Sequence, residues 1–154
     1  MNQTSRNTFI ELEQLILHMG YDETTSAMVV AFLKTQNRSL QQKNELEAAL
    51  TKVNDFVEKK LKPRYLPSSL NRLLALIDIT IEHDEVTIYF IKQLFNPDCE
   101  AGRMRIVYAY MRYIATERYE LAYLQPNGEY QIVHQSLKLK DCLKVLETDP
   151  LFEP

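Results

Sequence analysis

Apolar positions recur along most of this chain at helical spacing. Phe9, Leu12, Leu15, Ile16 and Met19 share one face at about 100° per residue, and Thr8 to Glu11 has the Thr-x-x-Glu form of a capping box. A first helix is therefore expected to run up to Gly20. A second starts between Asp22 and Thr25 and carries Ala27, Met28, Val29, Val30, Phe32 and Leu33; being apolar nearly all round, it is expected to be buried. Ser39 to Gln42 opens a third by the same capping logic, with Leu46, Leu50, Val53, Val57 and Leu61 along one stripe, and Pro63 is expected to end it. Such a stripe suits packing against another helix, within the domain or on a partner.

Pro63 and Pro67 bracket a short joint, after which Leu70, Leu73, Leu74, Leu76 and Ile77 predict a helix capped by Ser68 or Ser69. The next segments fit two readings. Ile77, Ile79 and Ile81 alternate with Asp78, Thr80 and Glu82 as in a strand, and Val86 to Phe90 are all strand-favouring residues. Yet the first follows directly on a leucine-rich helical run, and Asp84-Glu85 supplies a cap and an acidic first turn for a helix over residues 86–95. The helical reading is adopted for both. Residues 99–116 continue it, with Met104, Val107, Met111 and Ile114 on one face and Arg105, Tyr108, Ala109 and Arg112 on the other.

The period changes after Arg118. Tyr119, Leu121 and Tyr123 alternate with their neighbours, as do Tyr130 and Ile132, and Pro126-Asn127-Gly128 between the two runs is a strong hairpin signal. A last helix is expected from Ser136 to Asp149-Pro150. The sum is a mainly α (α+β) chain: a compact bundle of about six or seven helices with one C-terminal β-hairpin. It reads as a single domain over 1–154, divisible into a helical part, 1–63, and helices plus hairpin, 68–154. A helix with an exposed arginine stripe followed at once by a hairpin resembles the recognition helix and wing of winged-helix proteins. The likeness is one of element order over residues 84–134, and it implies a DNA-binding or protein-docking use.

At 154 residues, with 45% hydrophobic and 25% charged residues, the chain can bury a sizeable core without staples. Cys99 and Cys142 have no metal-type spacing and read as reduced thiols. The N-terminus lacks the apolar segment of a signal peptide, and no apolar run reaches membrane-spanning length, so a cytoplasmic location without membrane contact is expected. Net charge is −3, and after Pro67 nine basic residues face thirteen acidic ones. The half bearing the arginine stripe is the acidic one, which counts against DNA.

Candidate chemistry is sparse. The sequence has no glycine-rich phosphate loop, nucleophile elbow or His-x-x-x-His, and His18, His83 and His134 stand far apart. Asp98 and Glu100 flank Cys99, and adjacent anions raise a thiol pKa rather than activate it. No catalytic residue, metal or cofactor is therefore expected. Arg105 and Arg112 suit either phosphate contact or pairing with nearby carboxylates on a solvated face. Six of the nine tyrosines lie between Tyr108 and Tyr130, and tyrosine combines large contact area with a polar tip. The reading that follows is a small, non-enzymatic regulator or adaptor. It binds another protein through Arg105, Tyr108, Arg112, Tyr119, Tyr123 and Tyr130, with residues 39–62 as a surface for a homodimer. The alternative is a winged-helix-like, sequence-specific DNA-binding regulator.

Overall fold

The structure, a computed structural model, describes residues 22–67 and 75–154 together with Glu11, Gln14, Leu15 and Gly20. The helix expected over residues 8–19 and the leucine run at 70–74 lie largely outside the described residues. The chain divides into two compact units, residues 1–42 and 43–154. A 34-residue helix, α1 (Glu23–Phe56), begins in the first and ends in the second.

In the first unit Asp22 accepts the N–H of Thr25 at 2.6 Å, capping α1 where an N-cap was expected. Val30 is buried, but Met28, Val29, Phe32 and Leu40 are exposed, so this stretch is not the buried helix its composition predicts. Apolar composition sets the cost of exposure; it does not supply a covering layer. Ser39 opens nothing, because it lies inside α1. A hydroxyl competes for backbone groups only where the chain leaves the helix.

The second unit is built on a five-stranded antiparallel sheet in the order β1-β2-β3-β4-β5. Its strands are β1 (Leu76–His83), β2 (Thr87–Phe95), β3 (Arg103–Ala115), β4 (Arg118–Leu124) and β5 (Tyr130–Leu137). Helix α3 (Leu139–Thr148) and a 3-10 turn (Pro150–Phe152) follow, with α2 (Lys62–Tyr65) lying earlier in the chain. This overturns the bundle of six or seven helices with one hairpin: the fold is α+β with a substantial sheet. It also overturns the winged-helix likeness, because residues 84–134 hold strands β2 to β5 and no recognition helix. Among the described residues no helix is long and apolar enough to cross a membrane.

A bulge explains why β3 read as a helix. Phe90 pairs with Ala109 but Ile91 pairs with Val107, so Tyr108 is an extra residue and the inward parity of β3 changes there. Met104 shares the face of Leu94, and beyond the bulge Tyr108, Ala109, Met111 and Tyr113 turn to the core. Spacings of four and three result, which imitate a 3.6-residue period. In β2 the alternation is hidden differently: Ile88 and Phe90 enter the core while Thr87 and Ile91 are buried on the other face.

The turns reuse chemistry that also caps helices. Asp84 accepts the N–H groups of Val86 at 2.9 Å and Thr87 at 2.7 Å and the Tyr89 hydroxyl at 2.8 Å, closing the β1–β2 turn instead of opening a helix. These bonds, the Val86 N–H first, hold its carboxyl below the usual range. Between β4 and β5, Gly128 donates to the Gln125 carbonyl at 3.0 Å and alone adopts positive φ, at 88°. Pro126 and Asn127 thus need no left-handed conformation, as in a three-residue hairpin loop. These two strands are the last of five rather than a lone hairpin.

One face of the sheet is covered by α1 from Leu46 onward, its continuation, α3 and the 3-10 turn, through Val53, Val57, Leu61, Cys142, Leu146 and Phe152. The stripe on residues 39–62 considered for self-association is therefore the one packed inside the unit. Pro63 does not stop the helix. Residues Val57–Leu61 form a π-helical turn in which Lys62 donates to the Val57 carbonyl, and α2 follows with Pro63 in its first turn. At about 100° per residue an unbroken α-helix would carry Tyr65 roughly 80° round from Val57. The wider π turn absorbs that drift and keeps Leu61 and Tyr65 buried. Glu45 ties this helix to the β3–β4 turn by accepting the N–H of Glu117 at 3.2 Å.

Candidate functional site

Strand parity sorts the expected site residues onto two faces. Arg105 pairs with Gln93, Arg112 with Glu120, and Tyr110 with Ala122, which in turn pairs with Ile132. These positions, with Tyr89, Ile91 and Tyr130, form the face opposite the helices. Tyr108, Tyr119 and Tyr123 belong to the covered face. The six residues therefore do not form one surface: Arg105, Arg112 and Tyr130 share the open face, and the other three pack inward.

On the covered face, Tyr108 is 4% exposed and its hydroxyl has no hydrogen-bond partner among the described residues. Burial drives its phenol pKa well upward. Tyr119 is buried against Tyr113 with ring centroids 5.8 Å apart, and burial pushes its phenol up to about 12. Tyr123 sets its ring edge-on to Phe152 at 5.8 Å and donates its hydroxyl to Gln131 at 3.2 Å. All three rings pack on the covered face.

The open face is a lattice of phenols and ion pairs. Arg112 pairs with the buried Glu120 directly across β3 and β4, and Arg105 pairs with Glu82. Both guanidinium groups are thus balanced within the sheet. Tyr130 donates its hydroxyl to the Val107 carbonyl at 2.8 Å, and its ring lies 5.6 Å from that of Tyr110. Apolar side chains remain in solvent here: Phe95 is 51% exposed, Tyr130 46%, Ile114 44% and Ile132 40%. Sequence reasoning missed Tyr89, Tyr110 and Ile132 as members of this face. The run of strand-favouring residues from Thr87 to Ile91 was the signal that marked it.

A second feature joins residues far apart in sequence. Between the C-terminal part of α1 with its π turn and α3 lies a groove of about 580 Å³, floored by Phe56, Leu139 and Leu143. Five lysines line it, Lys52, Lys59, Lys60, Lys140 and Lys144, against two carboxylates, Asp55 and Glu147. Asp55 is engaged by Lys59 at 2.8 Å. A neighbouring hollow of about 340 Å³ shares Lys52, Leu139 and Lys140 and extends to Lys138 and Glu117.

The remaining sequence candidates do not converge. His83 is the last residue of β1, with Nδ1 3.2 Å from the Asp84 carbonyl oxygen. Cys99 lies in the β2–β3 connection rather than at a helix start, and Cys142 is buried in α3 with its thiol pushed up to about 12 by burial. Among the described residues no three His, Cys, Asp or Glu side chains are placed to hold a metal ion. No curated protein and no solved structure matches this chain. One family profile covers residues 40–154, taking in the whole sheet, the groove and both helical elements that line it, and the protein accordingly belongs to the family described as a domain of unknown function, DUF3024.

Proposed function

We propose that the protein is a small cytoplasmic regulator or adaptor that acts by binding another protein on the open face of its sheet, without catalysis of its own. The observation that carries this reading is the solvent-exposed pair Tyr130 and Ile132, which strand pairing sets beside Tyr110 on that face. Exposed apolar groups gathered on one side of a sheet, rimmed by charge, are what a docking surface requires. Tyr130 and Ile132 act as anchors, with Tyr110 beneath them. Arg105 and Arg112 then offer their remaining N–H groups to a partner carboxylate, or exchange Glu82 and Glu120 for it. A protein partner suits this face better than DNA does. Each arginine already has a carboxylate beside it, and the helix that would have entered a major groove is strand β3.

Affinity capture from the native cell, comparing the unaltered protein with Ile132→Asp and Tyr130→Ala, tests the reading. One dominant partner should be retained by the unaltered protein and weakened by about 2 kcal/mol or more in each variant, as for anchor residues. Capture of the same partner at undiminished affinity by Ile132→Asp would overturn the assignment of this face.

A further inference from the structure

The groove between α1 and α3 carries an inference independent of the open sheet face. Its floor is apolar and its rim is cationic: Phe56, Leu139 and Leu143 lie beneath five lysines. Among the described residues, Lys52, Lys60, Lys140 and Lys144 form no ion pair, while Lys59 is paired with Asp55. In a chain whose formal net charge is −3, this is a local concentration of unbalanced positive charge. The lysines come from two helices separated by the whole sheet in sequence, and folding brings them to opposite walls of one recess.

We propose that this recess is a docking groove for an acidic amphipathic helix of a partner protein. Apolar side chains of that helix lie on the half-buried Leu139 and Leu143, with the buried Phe56 behind them, and Asp or Glu on its flanks meet the lysines. Two helices flanking an apolar floor leave a trough of the kind that receives a third helix. The α3 wall has ten residues, about 15 Å of helix at 1.5 Å per residue, enough for roughly three turns of a partner. Acidic residues of the guest belong over Lys60, Lys140 and Lys144, lysines of the groove that form no ion pair among the described residues.

The same features disfavour other polyanions. Single-stranded nucleic acid binds through exposed aromatic platforms as well as lysines, and the aromatic residues here, Phe56 and Tyr119, are buried. A bilayer surface is flat and meets protruding cations, whereas these lysines surround a recess.

The test uses the full-length protein and fluorescence anisotropy of a labelled synthetic peptide of about twelve residues, with leucines at i, i+3, i+4 and i+7 and glutamates on both flanks. The peptide should bind, more weakly as salt is raised. Lys60→Glu/Lys144→Glu, both exposed and so without effect on thermal unfolding, should weaken it about tenfold or more. Ile132→Asp on the open face should leave this affinity unchanged, so failure here is distinguishable from failure of the sheet-face reading. A scrambled peptide with the same charge, an oligodeoxynucleotide and phosphatidylglycerol vesicles are run in parallel. Absent binding at low salt, binding unaffected by the charge reversal, or equal or better binding of any of those three would overturn the proposal.

Discussion

A phenol placed in a core brings a large apolar ring and a hydroxyl that must either find a partner or lose its hydration. Tyr108 stands at a bulge in β3, where the extra residue turns inward with Ala109, and its hydroxyl finds no partner among the described residues. Replacing it by phenylalanine keeps the ring and removes the oxygen. Tyr108→Phe is therefore expected to raise stability by about 1 kcal/mol, the order of a relieved unsatisfied group. Urea denaturation measures this directly, and a loss of comparable size would show that the hydroxyl is satisfied after all. Asp84 makes a complementary point. Its carboxylate collects the N–H groups of Val86 and Thr87 as an N-cap would, but the chain beyond leaves as a strand. The residue says that free backbone donors are being satisfied; it does not say which element they begin.

At the scale of elements, the helix over Leu46 to Tyr65 keeps one face on the sheet only because its period changes midway. The π turn at Val57–Leu61 holds one residue more than a regular helix needs to bring Tyr65 round to the core. Deleting the exposed Glu58 should let this turn revert to α-helix with Leu61 and Tyr65 still inward, at a cost of only about 1 kcal/mol. Deleting Thr51, exposed but inside the regular α1, should rotate Leu46 and Ala49 about 100° off the sheet and cost more than about 3 kcal/mol. Thermal unfolding of the two deletions provides the comparison, and equal losses would mean that the π turn does not serve register. The stripe Leu46, Leu50, Val53, Val57 and Leu61 was legible because its period is that of a helix face over most of its length. Strand β3 was not, because the bulge at Tyr108 gave a strand's inward residues nearly helical spacing. Strand β2, buried on both faces, offered composition in place of alternation, and its run of Thr87, Ile88, Tyr89, Phe90 and Ile91 was the better guide.

At the scale of the whole molecule, the contiguous core formed by the described residues runs from Leu46 to Phe152, within the second compact unit and within the residues matched by the family profile. A protein cut to residues 40–154 is thus expected to unfold in a single cooperative transition with its midpoint within about 5 °C of the full chain. Calorimetry decides this, and a broad, non-cooperative transition would show that residues before 40 complete the fold. The candidate surfaces divide by the same logic. Three of the six residues singled out from sequence reach the open face, and the neighbours that complete it were hidden by the helical reading of β2 and β3. The lysine groove was not legible at all. Nothing in the spacing of Lys59 and Lys60 points to Lys140 and Lys144.

By itself the chain determined what short-range chemistry can specify: the glycine-dependent turn at Gly128, the end of the last helix before Pro150, the Asp22 cap and the apolar stripe of the helix over the sheet. Only the tertiary structure decided which way Tyr108, Tyr119 and Tyr130 face and whether residues 76–115 are strands. It also decided that lysines from two distant helices share one recess. Turns and caps are settled by bonds spanning a few residues, whereas strand identity, facing and convergence depend on partners supplied by other parts of the chain.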